Sequence, residues 1–230
     1  MTTRCRDSLV IDGDFMRTKR YIIAFCTVLL TVTTLFCGCA KANKIQMTND
    51  GKYVDKKNGI AYNEALYCYE PISVGEKAYG RLGSIDFYEI VGADPQKFLT
   101  SNSVVFYADG ETVPTLSEMN ISYATVDIDA KLNFSINDSN VLDAIKEAYI
   151  NGQAVTRPSP TLPVSDYLIN WSVKLADEDL GMYYVLSYFE MSDGRKLLFN
   201  RFEKRCVEIG DVMQEYVSEY GNLVTPVTES

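Results

Sequence analysis

Apolar and polar residues alternate most regularly between Tyr167 and Leu175. Such alternation is typical of a strand with one buried face, because successive side chains point to opposite sides of a sheet. We therefore predict that Trp171 is a core residue. The residues predicted to share its buried face are Tyr167, Ile169, Val173 and Leu175. Further strands are predicted over residues 121–128, 132–136, 183–191 and 196–202.

The segment from Gly51 to Leu116 is rich in tyrosine and in turn-forming residues. Asn58-Gly59 favours a hairpin turn, because both residues tolerate positive φ. Asp94-Pro95 predicts a short helical turn through Leu99, since proline suits the first helical position. Short strands are predicted over residues 52–54, 60–62, 66–69, 87–91 and 104–107.

Two helices are predicted from capping residues and the spacing of apolar side chains. Asp138 is the expected N-cap of the first helix, which ends at Asn151-Gly152. Asp211 is the expected N-cap of the second helix, which ends at Gly221. A hairpin turn at Ser192-Asp193-Gly194 separates two of the strands between them.

The order strand, strand, helix, three strands, helix over residues 117–221 predicts an α+β fold. This fold is an antiparallel sheet with helices packed on one face. A short-stranded, Tyr-rich β region, residues 51–116, precedes it. The remaining segments are interpreted as a leader over residues 1–38, a polar tether over 39–50 and a flexible tail over 222–230.

An apolar run, Tyr21–Phe36, follows the basic stretch Arg17–Arg20. This run makes about 24 Å of helix at about 1.5 Å per residue, which is short for a bilayer core of about 30 Å. The pattern is therefore typical of a signal peptide, with a retained, slightly short membrane helix as the alternative. Because aspartates precede the basic stretch, we expect Met16 to be the true start and residues 16–38 to be the signal peptide.

The run Phe36-Cys37-Gly38-Cys39 resembles the lipobox of bacterial lipoproteins, in which a cysteine becomes the first mature residue and carries the lipid. Small Gly38 precedes Cys39, so the resemblance implies lipidation at Cys39. The family attaches a diacylglycerol to the thiol, and two or more acyl chains, such as palmitate, hold a protein stably at a membrane. The mature region is broadly similar to small domains of uncharacterised exported lipoproteins. The resemblance implies a lipid-anchored protein on the extracytoplasmic face of the cell membrane.

Removal of residues 1–38 takes away five basic and three acidic side chains, so the net charge changes from −9 to −11. An acidic surface repels the phosphates of nucleic acid and anionic lipid headgroups. We therefore expect no nucleic-acid partner and expect membrane attachment to come from the lipid anchor. The same charge also keeps an exported protein soluble.

Three of the six cysteines remain after this processing: Cys39, Cys68 and Cys206. With Cys39 lipidated, Cys68 and Cys206 form a possible disulfide in an oxidising exterior. Two buried thiols that are not joined to each other are the equal alternative.

The chain contains no histidine, which excludes Ser-His-Asp and Cys-His catalysis and imidazole-bound zinc. The mature chain also has no Ser-x-x-Lys motif, Cys-x-x-Cys motif or phosphate-binding glycine loop. We therefore predict no catalytic residues, no metal site and no cofactor, and expect that the protein is not an enzyme.

Carboxylates are the remaining candidates for chemistry. Asp127 and Asp129 are expected on one strand face, where a solvated end of the sheet is the simpler explanation. Asp177-Glu178-Asp179 offers oxygen ligands for calcium but lacks the spacing of an EF-hand loop, so a solvated turn is favoured.

Tyrosines are the more suggestive feature of the first region. A tyrosine ring with a wet hydroxyl suits contact with sugars, peptides and other proteins, although each ring is first expected to stabilise the sheet. We therefore predict a non-catalytic binding module at the cell envelope, with an envelope protein or a glycan as partner. The alternatives are a carboxylate-dependent glycan hydrolase and an accessory subunit of a membrane complex. The tyrosines concerned are Tyr53, Tyr62, Tyr67, Tyr69, Tyr79 and Tyr88.

Overall fold

The computed structural model describes residues 42–65, 68–129, 132–158 and 166–221. These residues form a mostly β structure with two α-helices and one short 3-10 helix, Leu116–Glu118. The helices are α1 (Ser139–Asn151) and α2 (Gln214–Tyr220). The strands are β1 (Asn43–Met47), β2 (Tyr53–Asp55), β3 (Ile60–Glu64), β4 (Tyr69–Pro71), β5 (Val74–Leu82), β6 (Ile85–Ile90), β7 (Phe98–Ser101), β8 (Val104–Ala108), β9 (Tyr123–Asp127), β10 (Asn133–Ile136), β11 (Tyr167–Asp177), β12 (Met182–Met191), β13 (Lys196–Asn200) and β14 (Arg205–Glu208).

Seven strands close into a barrel in the order β1-β2-β3-β8-β7-β6-β5. Neighbouring strands are antiparallel except at the seam, where β1 and β5 pair in parallel. Gly80 of β5 pairs with Asn43 of β1 at this seam. A Cβ at Gly80 would lie 2.6 Å from Cδ1 of Ile45 and 3.3 Å from the Asn43 carbonyl oxygen, so a larger residue there would displace the buried Ile45 side chain.

The barrel has its own apolar core, in which aromatic rings make edge-to-face contacts. The Phe106 ring lies 5.2 Å from that of Phe87 and 4.9 Å from that of Tyr53, measured between centroids. Six residues form the buried cluster: Ile45, Tyr62, Phe87, Leu99, Phe106 and Ala108.

The second sheet is antiparallel and runs in the order β10-β9-β11-β12-β13-β14, with β4 paired to the first part of β12. Its main core cluster includes Trp171 of β11 and Leu142 of α1, and Val217 of α2 packs against the same cluster. The alternation predicted for β11 is confirmed from Ile169 to Leu175, where Ile169, Trp171, Val173 and Leu175 are buried while Asn170 is exposed. Tyr167, predicted on the same buried face, is only partly buried and packs against a separate cluster with Phe189, because the strand register shifts between Tyr167 and Ile169. The prediction of Trp171 as a core residue is confirmed at 1% exposure.

The predicted α+β class is confirmed only in its coarse features, an antiparallel sheet and two helices. All strands of the Tyr-rich region except β4 close into a barrel with β1, rather than forming a set of short strands that precedes the sheet. Residues 43–47, placed in the predicted tether, form β1 of that barrel. The sequence of β1 has only one fully buried residue, Ile45, so its alternation is too short to distinguish it from a polar linker.

Three further strands, β5, β7 and β14, were not predicted from the sequence. β5 has mostly exposed or partly exposed residues, and β14 has only four residues. Asp94 does cap a turn, since its Oδ1 accepts the Gln96 amide at 2.9 Å. This turn stops before Phe98, where β7 begins, so the predicted helical turn through Leu99 is too long. Because all four residues of β7 are buried, tertiary packing overrides the local signal.

The two predicted regions share a core. Ile90 and Phe98 of the barrel strands belong to the same cluster as Trp171 of the second sheet. β4, which lies within the predicted region 51–116, pairs with β12. Contacts between residues place the described part of Ala42–Ser230 in one compact unit.

Candidate functional site: a cavity beside the turn between β13 and β14

A cavity of about 370 Å³ lies where β3, β4, β8 and the turn between β13 and β14 come together. This volume is within the range of small-molecule sites, about 300–1,000 Å³. Segments that are distant in sequence supply its walls. The described residues that line it are Ala65, Cys68, Tyr69, Tyr107, Glu111, Thr112, Val113, Thr115, Phe202 and Glu203.

The turn that carries Phe202 and Glu203 is held by a fully buried amide, that of Asn200. The Asn200 Oδ1 accepts the backbone N–H groups of Phe202 and Glu203, both at 2.9 Å. Its Nδ2 donates to the Val185 carbonyl at 3.2 Å. Lys204 follows with φ +53°, a backbone conformation that residues other than glycine rarely adopt. Asn200 therefore fixes the backbone at the point where two side chains reach the cavity.

The Glu203 carboxylate is fixed by two buried phenols. Tyr149 of α1 and Tyr184 of β12 each donate a hydrogen bond to a different carboxylate oxygen, both at 2.6 Å. Burial, together with the hydrogen bond to Glu203, raises the pKa of both phenols above the ordinary value. Both phenols are therefore protonated donors across the physiological range.

Arg205 anchors the end of α1 to the same turn. Its guanidinium donates to the carbonyls of Tyr149 at 2.9 Å, Ile150 at 3.1 Å and Gly152 at 2.8 Å. Cations satisfy the terminal carbonyls of a helix in this way. The contact keeps the Tyr149 phenol in place beside Glu203.

Cys68 is buried at the cavity wall, and its Sγ lies 3.6 Å from the Asn200 Oδ1. Burial, and secondarily the charge of Glu203, raises the pKa of the Cys68 thiol to about 12. The thiol is therefore protonated at neutral pH and is a poor nucleophile. The neighbouring Tyr69 donates its phenol O–H to the Pro114 carbonyl at 2.5 Å, which joins β4 to the loop that carries Glu111, Thr112, Val113 and Thr115 of the lining.

The structure does not bring the two candidate disulfide residues together. Cys68 belongs to the main core cluster, whereas Cys206 belongs to a separate cluster with Phe189 and Phe199. Both side chains are buried thiols. Cys68 contributes to the cavity, and Cys206 is not among the described residues that line it.

The other carboxylates singled out from the sequence have structural partners. Asp127 forms an ion pair with Lys174 at 2.9 Å, and Asp129 accepts the Leu132 amide at 2.9 Å. Asp177 is 2% exposed and accepts the amides of Asn120 at 2.7 Å and Leu180 at 3.0 Å. Within the ranges that the structure describes, no group of three His, Cys, Asp or Glu residues is arranged to hold a metal ion.

The tyrosines of the first region divide between core and cavity. Tyr62 is buried in the barrel, Tyr53 packs against its core, and the Tyr79 phenol donates to Asp55 at 2.8 Å. Tyr69 lines the cavity, whereas Tyr67 lies outside the described residues.

Sequence reasoning missed Asn200, Phe202 and Glu203 because the strand predicted over 196–202 was continued through the turn. The available signal was Asn200 itself, since asparagine favours turns through side-chain hydrogen bonds to the backbone.

The leader residues 1–38, the lipidation candidate Cys39 and the tail 222–230 lie outside the described residues. In the part of the chain that the structure describes, no helix is both long and apolar enough to cross a bilayer. Comparison of the chain with protein-family models, with curated proteins and with solved structures gave no match.

Proposed function

We propose that this protein is a membrane-anchored extracytoplasmic lipoprotein whose β-rich module binds a component of the cell envelope or an external ligand without catalysis. The single observation that carries the binding role is the cavity, whose walls place Tyr69, Tyr107 and Phe202 beside the fixed carboxylate of Glu203. Aromatic walls with a few oriented polar groups are typical of ligand sites. The anchor is supported by the resemblance of Phe36-Cys37-Gly38-Cys39 to a lipobox.

The chemistry of the cavity favours binding over reaction. The Cys68 thiol has a pKa of about 12, so nucleophilic catalysis by this group is unfavourable at neutral pH. Both oxygens of Glu203 already accept hydrogen bonds from buried phenols. These contacts orient the carboxylate, as a recognition group requires.

Labelled palmitate tests the anchor. We expect Cys39→Ala to abolish incorporation of the label and to release the protein from the particulate fraction. Cys37→Ala is the matched control, since it removes the neighbouring thiol but leaves Gly38-Cys39 intact. A Cys39→Ala protein that is still labelled, or that stays in the particulate fraction as firmly as the unaltered chain, contradicts the anchor.

Pull-down from detergent-solubilised envelopes, together with a glycan array, tests the binding role. We expect a specific partner or glycan that is retained by the unaltered protein. Failure of both measurements, with a folded protein, contradicts the binding role.

A glycan hydrolase is the second candidate, because two carboxylates, Glu111 and Glu203, line the same cavity. Glycoside hydrolysis requires two such groups separated by about 5–10 Å across the bond to be cleaved. Release of reducing ends from cell-wall or dietary glycans, lost in both Glu111→Gln and Glu203→Gln, supports this candidate. Absence of hydrolysis across the glycan panel eliminates it.

A further inference from the structure

Both charged side chains among the described residues that line the cavity are acidic. Glu111 and Glu203 line it, while no lysine or arginine is among its described lining residues. Glu203 accepts hydrogen bonds from two neutral phenols, and the Glu111 carboxylate forms an ion pair with the Lys97 ammonium at 3.3 Å. Arg205, which follows the turn, is directed at the carbonyls of α1. A concave surface lined by one sign of charge concentrates ligands of the opposite sign.

The titration of neighbouring groups is consistent with this negative potential. Burial raises the pKa of the Tyr69 phenol, and the charges of Glu203 and Glu118 raise it further. Glu203 likewise contributes to the raised pKa of the Cys68 thiol. Both groups respond to negative charge at the cavity wall.

Aromatic groups form much of the remaining wall. Tyr69 and Tyr107 line the cavity with Phe202, whose side chain is 54% exposed. An ammonium group is attracted to the negative face of an aromatic ring, most strongly where both are shielded from water. Carboxylates and aromatic side chains in one concave site therefore complement a cation that carries an apolar body.

We propose that this cavity binds a small organic cation, with its ammonium group at the Glu203 carboxylate and its apolar body against Phe202 and Tyr107. The assignment rests on the proposed binding function and names the chemical class of its ligand. The cavity volume of about 370 Å³ is near the lower end of the range for small-molecule sites, about 300–1,000 Å³, so the ligand is expected to be small.

Three probes that share one ring and differ in charge test the assignment: benzylammonium, benzyl alcohol and benzoate. Each is titrated at constant ionic strength into the detergent-solubilised full chain by calorimetry, with saturation-transfer NMR as a second readout. We expect benzylammonium to bind, benzyl alcohol to bind at least about tenfold more weakly, and benzoate not to bind. A tenfold change corresponds to about 1.4 kcal/mol at 25 °C.

Variants locate the site. We expect Glu203→Gln to weaken benzylammonium binding at least about tenfold, the scale of a lost charged hydrogen bond. Glu208→Gln is the matched control, since it makes the same change of charge at an exposed position of β14 that does not line the cavity. Phe202→Ala removes an exposed ring and is expected to weaken binding several-fold without affecting the fold.

Equal binding of the three probes, or benzylammonium binding that survives Glu203→Gln and Phe202→Ala, overturns the assignment. Thermal melting of each variant distinguishes a lost site from a lost fold. If a partner is recovered by pull-down while none of the probes binds, the cation assignment alone is wrong. If neither partner nor probe is bound, the binding function is wrong as well.

Discussion

Asp55 shows how a single buried carboxylate ties distant parts of the barrel together. Its Oδ2 accepts hydrogen bonds from Asn43 at 2.9 Å, Asn58 at 2.8 Å and Tyr79 at 2.8 Å. Its Oδ1 accepts the Lys57 amide at 2.9 Å, inside the hairpin turn between β2 and β3. The residue therefore joins β1, this turn and β5.

Burial alone would raise the pKa of Asp55, but the hydrogen bonds from Tyr79, Lys57 and Asn58 outweigh it and lower the pKa. The fold therefore favours the ionised form. A carboxyl whose pKa is depressed by folding stabilises the protein above its unfolded pKa, about 3.9. This stabilisation is lost as the pH falls through the lower pKa of the folded state.

We predict that Asp55→Asn lowers the free energy of unfolding by roughly 2–3 kcal/mol at pH 7. The NH2 group of asparagine replaces one carboxylate oxygen, and it cannot accept the hydrogen bonds that this oxygen accepted. Urea unfolding at pH 7 and near pH 3 measures the effect. The deficit relative to the unaltered protein should shrink at the lower pH, because the Asp55 carboxyl of the unfolded chain is then largely protonated and the advantage of the ionised form in the fold declines. Asp179→Asn, at an exposed turn position, is the control, and equal stability of both variants at pH 7 contradicts the prediction.

At the scale of elements, α1 was predicted with its cap, and the structure confirms both. Asp138 accepts the Asn140 amide at 2.9 Å, and the helix ends at Gly152. The predicted cap of α2 is wrong, because α2 begins at Gln214 with Met213 before it and no side-chain cap. Asp211 instead forms an ion pair with Lys196 of β13.

We predict that Asp138→Ala destabilises the protein by about 1 kcal/mol, the usual loss for an N-cap. Asp211→Ala should have a smaller effect, since it removes only a surface ion pair. Chemical denaturation followed by circular dichroism compares the two variants. A larger loss in Asp211→Ala than in Asp138→Ala would contradict this prediction.

The turn between β11 and β12 packs tightly against the turn that follows β6. Gly181 has φ +66°, and a Cβ there would lie 2.0 Å from the Val91 carbonyl oxygen. Its own carbonyl accepts the Ile72 amide at 2.8 Å. The barrel side and the sheet side therefore meet backbone to backbone at this point.

We predict that Gly181→Ala destabilises the protein by roughly 3 kcal/mol or more, because the positive φ alone costs an alanine about 1–2 kcal/mol and the clash with a carbonyl adds to it. Gly83→Ala is the matched control. Gly83 also has a positive φ, +59°, but nothing lies within 4 Å of the added Cβ. Thermal unfolding should separate the two variants, and equal losses would exclude the clash as the cause.

At the scale of the whole molecule, the barrel and the second sheet are joined through a common core. Ile90, Phe98 and Val105 of the barrel strands belong to the cluster that contains Trp171 and Tyr184. Because each part buries apolar surface of the other, neither part should be stable alone.

We predict one cooperative unfolding transition for both parts. Fluorescence of Trp171, the single tryptophan of the chain, reports on the second sheet. Hydrogen exchange of peptides that cover residues 98–108 reports on the barrel. The two probes should share one urea midpoint, and loss of barrel protection at a lower urea concentration would show that the barrel is a separate domain.

Sequence patterns over a few residues correctly predicted the elements that depend on interactions between neighbouring residues. The alternation of β11, the hairpin turns near Gly59 and Gly194 and the cap of α1 all follow from side chains within a few residues. β1 and β5 were not predicted, since their parallel pairing depends on closure of the barrel.

The candidate site could not be predicted from local sequence patterns. Its walls combine Ala65, Glu111 and Glu203, which are far apart in the chain, and the turn that presents Glu203 depends on contacts of the buried Asn200. No periodicity in a single segment encodes such a meeting of side chains.

The amino-acid sequence by itself determined the acidic charge, the absence of imidazole chemistry, and the elements whose capping residues and alternation lie within one short segment. Tertiary structure alone decided that the first region closes into a barrel, that Cys68 and Cys206 occupy different clusters, and that Glu203 enters an aromatic cavity. The reason is physical: side-chain periodicity acts over a few residues, whereas contacts between distant segments form only when burial and hydrogen bonding exceed the entropy lost in closing long loops.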